Sequence, residues 1–210
     1  MTLDLAGLLA RTRKPVIADI SLRVLQELYE EYLFPYTFIF ELDNGDTITL
    51  HFEKDNFCHL LGLEKMVEGK VLQADLKNYR GVDGWNNIKN GTIDIQHMRT
   101  RAGKANFNST KGKMLYFLAI PHVIESSKAM VKINKLGAEL LIYGEFDNAI
   151  VHLGISRRKE TNLMTWCPRT ILEEGKTPPL YGKKYIKDIN PYNIISFKRE
   201  KRFTTPVDCT

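Results

Sequence analysis

The chain has 210 residues, 43% of them hydrophobic, with a formal charge of +5 and a pI near 9.0, which suits one folded unit with an ordinary core. No apolar run approaches the length of a bilayer-spanning helix, the run at 114–120 being stopped by Pro121, and the opening MTLDLAGLLARTRK has an acidic residue ahead of its apolar part and no small-residue cleavage pattern. Neither a membrane span nor a secretion signal is therefore expected, and the cytoplasm is the expected location; Cys58, Cys167 and Cys209, odd in number and without a CxxC pair, argue against a disulfide framework or zinc knuckle and for reduced thiols.

In chain order, the first strong pattern is SLRVLQELYEEYL at 21–33. Leu22, Leu25, Leu28, Tyr29 and Tyr32 recur at three- and four-residue steps and Ser21 offers an N-cap, which predicts an amphipathic helix ended by Pro35. Phe38, Phe40 and Leu42 then alternate on one arm, and Ile48, Leu50 and Phe52 on the other, of a β-hairpin turning at Asn44-Gly45. Asp55 is a candidate cap for the next helix, in which Phe57, Leu60, Leu61 and Met66 face the core. Further on, the pattern predicts a helix in VLQADL, a Gly-rich break at RGVDGW, and a short helix over TIDIQHMRTR capped by Thr92. KGKMLYFLAIPHVIES reads as helix or as buried strand, with Pro121 bending or ending its regular part.

Strand patterns follow in AMVKI, AELLIYGEF, AIVHLGI, LMTWCPRTIL and, after the Pro-rich TPPLYGKKY, NIISFKRE, with a turn at Asp147-Asn148. Their short connections predict an antiparallel meander. The expected fold is α+β, in which N-terminal helices and a β-hairpin pack with a C-terminal antiparallel meander sheet in one domain, 1–210. Phosphate-loop glycine motifs, heptads and internal repeats are absent from the sequence.

Positive residues gather in RTRK (11–14), RTRAGK (99–104), KGK (111–113), SRRK (156–159) and the tail FKREKRF (197–203). Any one of them reads as a solvated face; together they fit a nucleic-acid footprint.

Three blocks carry a resemblance: FELDNGDTITLHFEKDNFCHLLGLEK, then KGKMLYFLAIPHVI, then YGEFDNAIVHLGI with CPRTIL. In this order they resemble the phage-associated nuclease-like family grouped with barnase, EndoU, the tRNA-cleaving colicins and RelE, in particular its fourth class. FCHLLGL together with AIVHLGI is the specific part. The similarity covers 36–174, leaving 175–210 as a C-terminal extension with a final strand and the basic tail. It implies a helix-plus-antiparallel-sheet nuclease scaffold of the barnase type, an origin in prophages or mobile elements, and RNA, with tRNA among the candidates, as substrate. A toxin role and an immunity or antitoxin partner extend that implication.

Cleaving RNA without a metal needs a base for the 2′-hydroxyl, an acid for the leaving 5′-oxygen and cations for the phosphoryl oxygens. His59, after the hairpin, and His152, in AIVHLGI, are the expected proton-transfer pair, in either order. The bland readings are a helix-surface or core-edge histidine for His59 and a cross-strand polar position for His152. Lys113, Tyr143 and Thr170 are candidates for the remaining catalytic contacts, and Lys111, Arg99, Arg157, Arg158 and Arg169 for RNA binding, Arg169 as a bidentate phosphate donor. Equally, the lysines are solvated and Tyr143 is a half-buried strand aromatic. No cofactor is expected and no metal: the five histidines form neither HxH nor HxxxH. Adjacent Cys58 and His59 diverge by roughly 100° on a helix and do not form a dyad. The rival readings are a non-catalytic nucleic-acid-binding module using exposed aromatics such as Trp85, Tyr79 and Phe203, and a phage structural or packaging accessory.

Overall fold

The computed structural model describes residues 2–133, 137–158, 165–175, 184–186 and 189–202. Lys159, Leu163, Met164, Phe203, Cys209 and residues 177–183 of the Pro-rich segment lie outside the described residues.

Helix α1 (Leu5–Leu9) leads into α2 (Leu22–Tyr32), where the Ser21 hydroxyl accepts the Val24 N–H and Leu22, Leu25, Leu28 and Tyr29 are buried. Strands β1 (Tyr36–Leu42) and β2 (Thr47–His51) form the expected hairpin, with Gly45 at φ +88° in its turn and all six alternating apolar residues buried. Helices α3 (Lys54–Leu61) and α4 (Leu63–Val67) meet at Gly62. The cap of α3 is Glu53 rather than Asp55: Glu53 and Asn56 form a reciprocal box that satisfies two otherwise orphaned main-chain donors.

VLQADL supplies a 3-10 turn at Gln73–Tyr79. RGVDGW does not break the chain but opens α5 (Gly81–Lys89), because burying Trp85 and Ile88 outweighs the weak helix propensity of its glycines, and Gly84 lets α5 close on Cys58 and Tyr79. Helix α6 (Ile95–Thr110), kinked at Gly103, is capped by Asp94 through the His97 N–H at 2.6 Å; Thr92 instead turns back on Asn90. The undecided segment is helical, as α7 (Gly112–Leu115) and α8 (Ile120–Ser126), and Pro121 sits in the first turn of α8, where a missing N–H costs nothing.

The remaining strands are β3 (Ala129–Lys132), β4 (Leu140–Phe146), β5 (Ala149–Arg157), β6 (Thr165–Gly175) and β7 (Tyr192–Lys201). β3 to β6 pair antiparallel in sequence order, but the sheet is not an open meander. Its order is β1-β2-β6-β5-β4-β3-β7, and β7 pairs with both β3 and β1, closing a seven-stranded barrel. Among the described residues the one parallel contact, β2 with β6, is confined to Thr49↔Thr165 and Leu50↔Trp166. Past Trp166 the outer edge of β6 is met by α3 and α7 instead of a strand.

The helices and one sheet face share the main core, with Tyr29 at its centre in edge contact with Phe57 at 5.2 Å, Trp85 at 5.7 Å and Phe52 at 5.8 Å. Trp85 and Tyr79, expected as exposed aromatics, are both buried. A smaller cluster of Val131, Ile133, Ala138 and Leu141, flanked by Tyr143, Leu172 and Tyr185, covers the other sheet face. Among the described residues no helix is long and apolar enough to cross a membrane.

Candidate active site

α3 buries Phe57, Cys58, Leu60 and Leu61 and turns His59 outward. Burial pushes the Cys58 thiol up to about 12, so this thiol stays protonated. Gly62 ends α3 in the left-handed conformation at φ 71° and ψ 27°, its N–H reaching the Cys58 and His59 carbonyls. Having no Cβ, it also admits the end of α6: a Cβ there would lie 2.7 Å from the Thr110 methyl and 3.3 Å from the Lys113 stem. One residue thus turns the chain and brings Lys113 beside His59.

On the opposite wall is a β-bulge. Pro168 has no N–H for the ladder, and the register between β5 and β6 slips there, pairing Gly154 with Thr170 and Ile155 with Pro168 while Arg169 has no partner residue. The Arg169 main chain consequently reaches His59, while its Nε donates to Ser156 Oγ at 2.7 Å. Lys113 Nζ donates to Thr170 Oγ1 at 3.0 Å. Glu173, two residues further from the bulge than Ile171, rests its carboxylate against Gly112, where any side chain would collide with it.

His59, Gly62, Glu64, Lys65, Glu68 and Lys113 line a cleft of about 280 Å³. Desolvation, then the Lys113 and Arg169 cations, hold the His59 ring below its ordinary 6.5, against the opposing pull of Glu64 and the Arg169 main chain. Lys113 is lowered from 10.5 by desolvation and by Lys65, against Glu173. The Glu173 carboxyl is raised by burial, against its own main chain, Lys113 and Lys14. The cleft therefore holds a neutral imidazole next to an ammonium that gives up its proton more readily than usual, a combination suited to moving protons near neutrality.

Of the residues singled out in the sequence, His59, Lys113, Thr170 and Arg169 come together here. His152 does not join them. Its side chain is fully buried on the β5 face bearing the smaller cluster, with the Tyr143 ring at 6.0 Å and the Tyr185 ring at 5.3 Å. Among the described residues neither ring nitrogen has a hydrogen-bond partner, and burial lowers its pKa to about 4. Glu174 Oε2 lies 3.9 Å away, the outer limit of an ion pair, but both its carboxylate oxygens already accept the Lys184 main-chain N–H; the ring is neutral. Tyr143, half-buried, packs on His152 and does not line the cleft either.

Lys111 bonds Asn108, Arg157 lies over Trp166 with 5.4 Å to the ring centre, and Arg158 comes within 3.9 Å of Asp55. Arg99 covers Phe107 at the edge of a separate cleft with Lys104 and Asn108. In the basic tail, Arg199 pairs with Glu125 over the Tyr36 ring, and Arg202 bonds Glu53 and the Phe34 and Phe52 carbonyls, so these cations hold β7 in place. Sequence reasoning missed Glu173, although an acidic pair in the apolar strand pattern of TILEEG was a visible signal, and it missed Gly62 and Gly112, whose role depends on what approaches them. Among the described residues no three His, Cys, Asp or Glu side chains are grouped to hold a metal ion.

The family model described as phage-Barnase-EndoU-ColicinE5/D-RelE like nuclease 4 matches residues 22–205. The chain belongs to this family. It is thus a member of a phage-associated nuclease family, and the match takes in α2 and β7 as well as the blocks between 36 and 174. The chain matches no curated protein and no solved structure.

Proposed function

We propose that this family member is a metal-independent endoribonuclease that cleaves RNA by 2′-hydroxyl attack in the cleft between α3, α7 and the bulged edge of β6. The observation that carries the reading is the convergence of His59 and Lys113, with the Lys113 ammonium anchored on Thr170 at 3.0 Å. His59, neutral near pH 7, takes the 2′-hydroxyl proton; Lys113 stabilises the phosphoryl oxygens and protonates the leaving 5′-oxygen. Thr170 orients Lys113, Glu173 counters the burial cost of its charge, and Arg169 adds positive potential. DNA, lacking the attacking hydroxyl, is not cleaved this way. His152 has no part in the proton transfers.

Incubation of total RNA with the full chain in EDTA tests the proposal. Cleavage by wild type is expected, with losses on the order of 10²–10³-fold in kcat for Lys113→Met and 10²–10⁴-fold for His59→Ala. Undiminished cleavage by both variants removes the proposed site, and activity abolished by EDTA removes the metal-free chemistry. A cytoplasmic toxin role, with an immunity partner protecting the producing cell, extends the reading; growth arrest by wild type but not His59→Ala is its signature, and harmless overproduction of active protein counts against it.

A further inference from the structure

We propose that a second cleft, between the 69–72 loop, α5 and the first half of α6, is a nucleotide subsite that seats an unpaired base and its phosphate from the RNA strand cut at His59 and Lys113; this deepens, and rests on, the ribonuclease reading. The cleft measures about 770 Å³, within the range of sites that hold small organic groups. Its lining includes Lys70, Leu72, Asn78, Tyr79, His97 and Arg101.

One wall is a coupled ring pair: Tyr79 Oη and His97 Nε2 are 2.9 Å apart, with the rings tilted by 35° and centred 5.8 Å from each other. Arg101 is close enough to act on both rings: desolvation and then Arg101 lower the His97 pKa, while desolvation raises that of Tyr79 against the pull of Arg101. Leu72, 74% exposed, adds apolar surface at the rim. Tyr79 is buried and backs His97, whose half-buried ring, with Arg101 beside it, is the face that an unstacked base and its phosphate meet. Asn87, fixed by the Asn78 carbonyl at 3.1 Å, and the carboxylate of Asp75 supply polar contacts for base edges.

Charge favours an RNA strand over an acidic protein or a free metabolite because the segment that runs from one cleft to the other is rich in cations. Between Asp94 and Glu125 the sequence has no acid, but it has Arg99, Arg101, Lys104, Lys111 and Lys113. Elsewhere Arg11, Arg23, Arg80, Arg158, Arg199 and Arg202 each lie within 4.0 Å of a carboxylate. Among the described residues none of these five cations, on α6, α7 and the residue between them, is so paired. Both clefts share walls: α4 and the loop after it pass from Glu64, Lys65 and Glu68 at one to Gly69 and Lys70 at the other. Arg101 and Lys113 are twelve residues apart on α6 and α7, a separation that would be about 18 Å in one unbroken helix, or roughly five phosphates of a stacked strand.

The experiment measures fluorescence anisotropy of a labelled single-stranded 12-mer of 2′-O-methyl RNA, which cannot be cut by 2′-hydroxyl attack, on the full-length wild type, Arg101→Ala, His97→Ala and a control at an exposed lysine of β3 that lines neither cleft, Lys132→Ala. Arg101→Ala is expected to bind roughly tenfold more weakly with the slope of log Kd against log salt reduced by about 0.7, as for one lost phosphate contact. His97→Ala is expected to lose at least about fivefold, as for one lost stacking contact, and Lys132→Ala to match wild type. Cleavage of a dinucleotide, too short to span both clefts, is expected to be unchanged in Arg101→Ala. Binding of both cleft variants within twofold of wild type, or no binding by wild type, overturns the subsite, the former leaving the cleft for a protein partner. Weakened binding in a protein that leaves RNA uncut supports the subsite and refutes the catalytic reading instead.

Discussion

Replacing His152 by leucine separates two roles that one histidine could have in this chain. The ring is fully buried, both nitrogens lack hydrogen-bond partners among the described residues, and its pKa falls from 6.5 to about 4. Above pH 6.5 the ring is neutral in folded and unfolded chains alike and contributes no pH dependence. Below pH 6.5 the unfolded chain takes up a proton that the folded chain refuses, so stability is lost as pH falls toward 4. A displacement of about 2.5 pH units, at about 1.36 kcal/mol each, makes that loss roughly 3 kcal/mol. His152→Leu removes it. At pH 7.5 the variant is expected to equal or exceed wild type by up to about 1–3 kcal/mol, since an unsatisfied buried polar group is exchanged for an apolar one. Urea unfolding at pH 7.5, 6, 5 and 4, followed by the fluorescence of Trp85 and Trp166, gives the difference between the proteins; groups common to both cancel. A difference that stays constant across that range refutes the argument. Ribonuclease activity lost by His152→Leu, with stability intact, would restore His152 to the mechanism.

Three further outcomes follow from the same geometry. The pH profile of kcat/KM is expected to fall on the acid side at a pKa below 6.5, where His59 protonates, and on the alkaline side at a pKa below 10.5, where Lys113 loses its proton; an acid limb that persists in His59→Ala assigns it to another group. Arg202→Met strands two carbonyls and Glu53, and is expected to cost roughly 2–3 kcal/mol in urea unfolding, with oligonucleotide affinity unchanged; weaker binding at unchanged stability would return the tail to the nucleic-acid footprint. Gly62→Ala forces a left-handed alanine, costing about 1–2 kcal/mol, and pushes on Thr110 and Lys113; its activity is expected to fall further than that of an equally destabilised core variant such as Ile88→Val.

Much of the fold was legible because its elements advertise themselves locally. α2, the hairpin and β3 to β6 each carry a 3.6- or two-residue hydrophobic period within a few residues of one another. Barrel closure has no such signal: it depends on pairings such as Tyr36 with Lys201, far apart in the chain, and the parallel contact of β2 with β6 spans only two residue pairs. RGVDGW misled because glycine count stood in for packing, when Trp85 and Ile88 decide the outcome. At the site, the two-residue period of AIVHLGI is enough to put His152 and Val151 on opposite faces of the strand, and Val151 joins the main core. What alternation cannot reveal is what covers a strand's other face, and here Tyr143, Leu172 and Tyr185 do so. The basic tail shows the same limit, since a run of cations in sequence is silent about carboxylates and carbonyls brought to it from 34, 52, 53 and 125.

The candidate site owes its geometry to three residues that carry no functional group. Gly62 lets the Lys113 stem pass, Gly112 leaves room for the Glu173 carboxylate, and Pro168 breaks the β5–β6 ladder so that the Arg169 main chain turns to His59. Each removes something ordinary, a Cβ or an N–H, at a point where a polar group must come close. Desolvation of His59, Lys113 and Glu173 follows from that closeness, because an open surface cluster of the same residues would leave each hydrated near its ordinary pKa. The burial of Lys113 would be costly if its charge were unmet; Thr170 and Glu173 meet it from the strand edge that the missing β2 pairing leaves uncovered. Incomplete pairing of β6, a flaw in the sheet as a sheet, is thus what gives the helices an edge on which to assemble a reactive cluster.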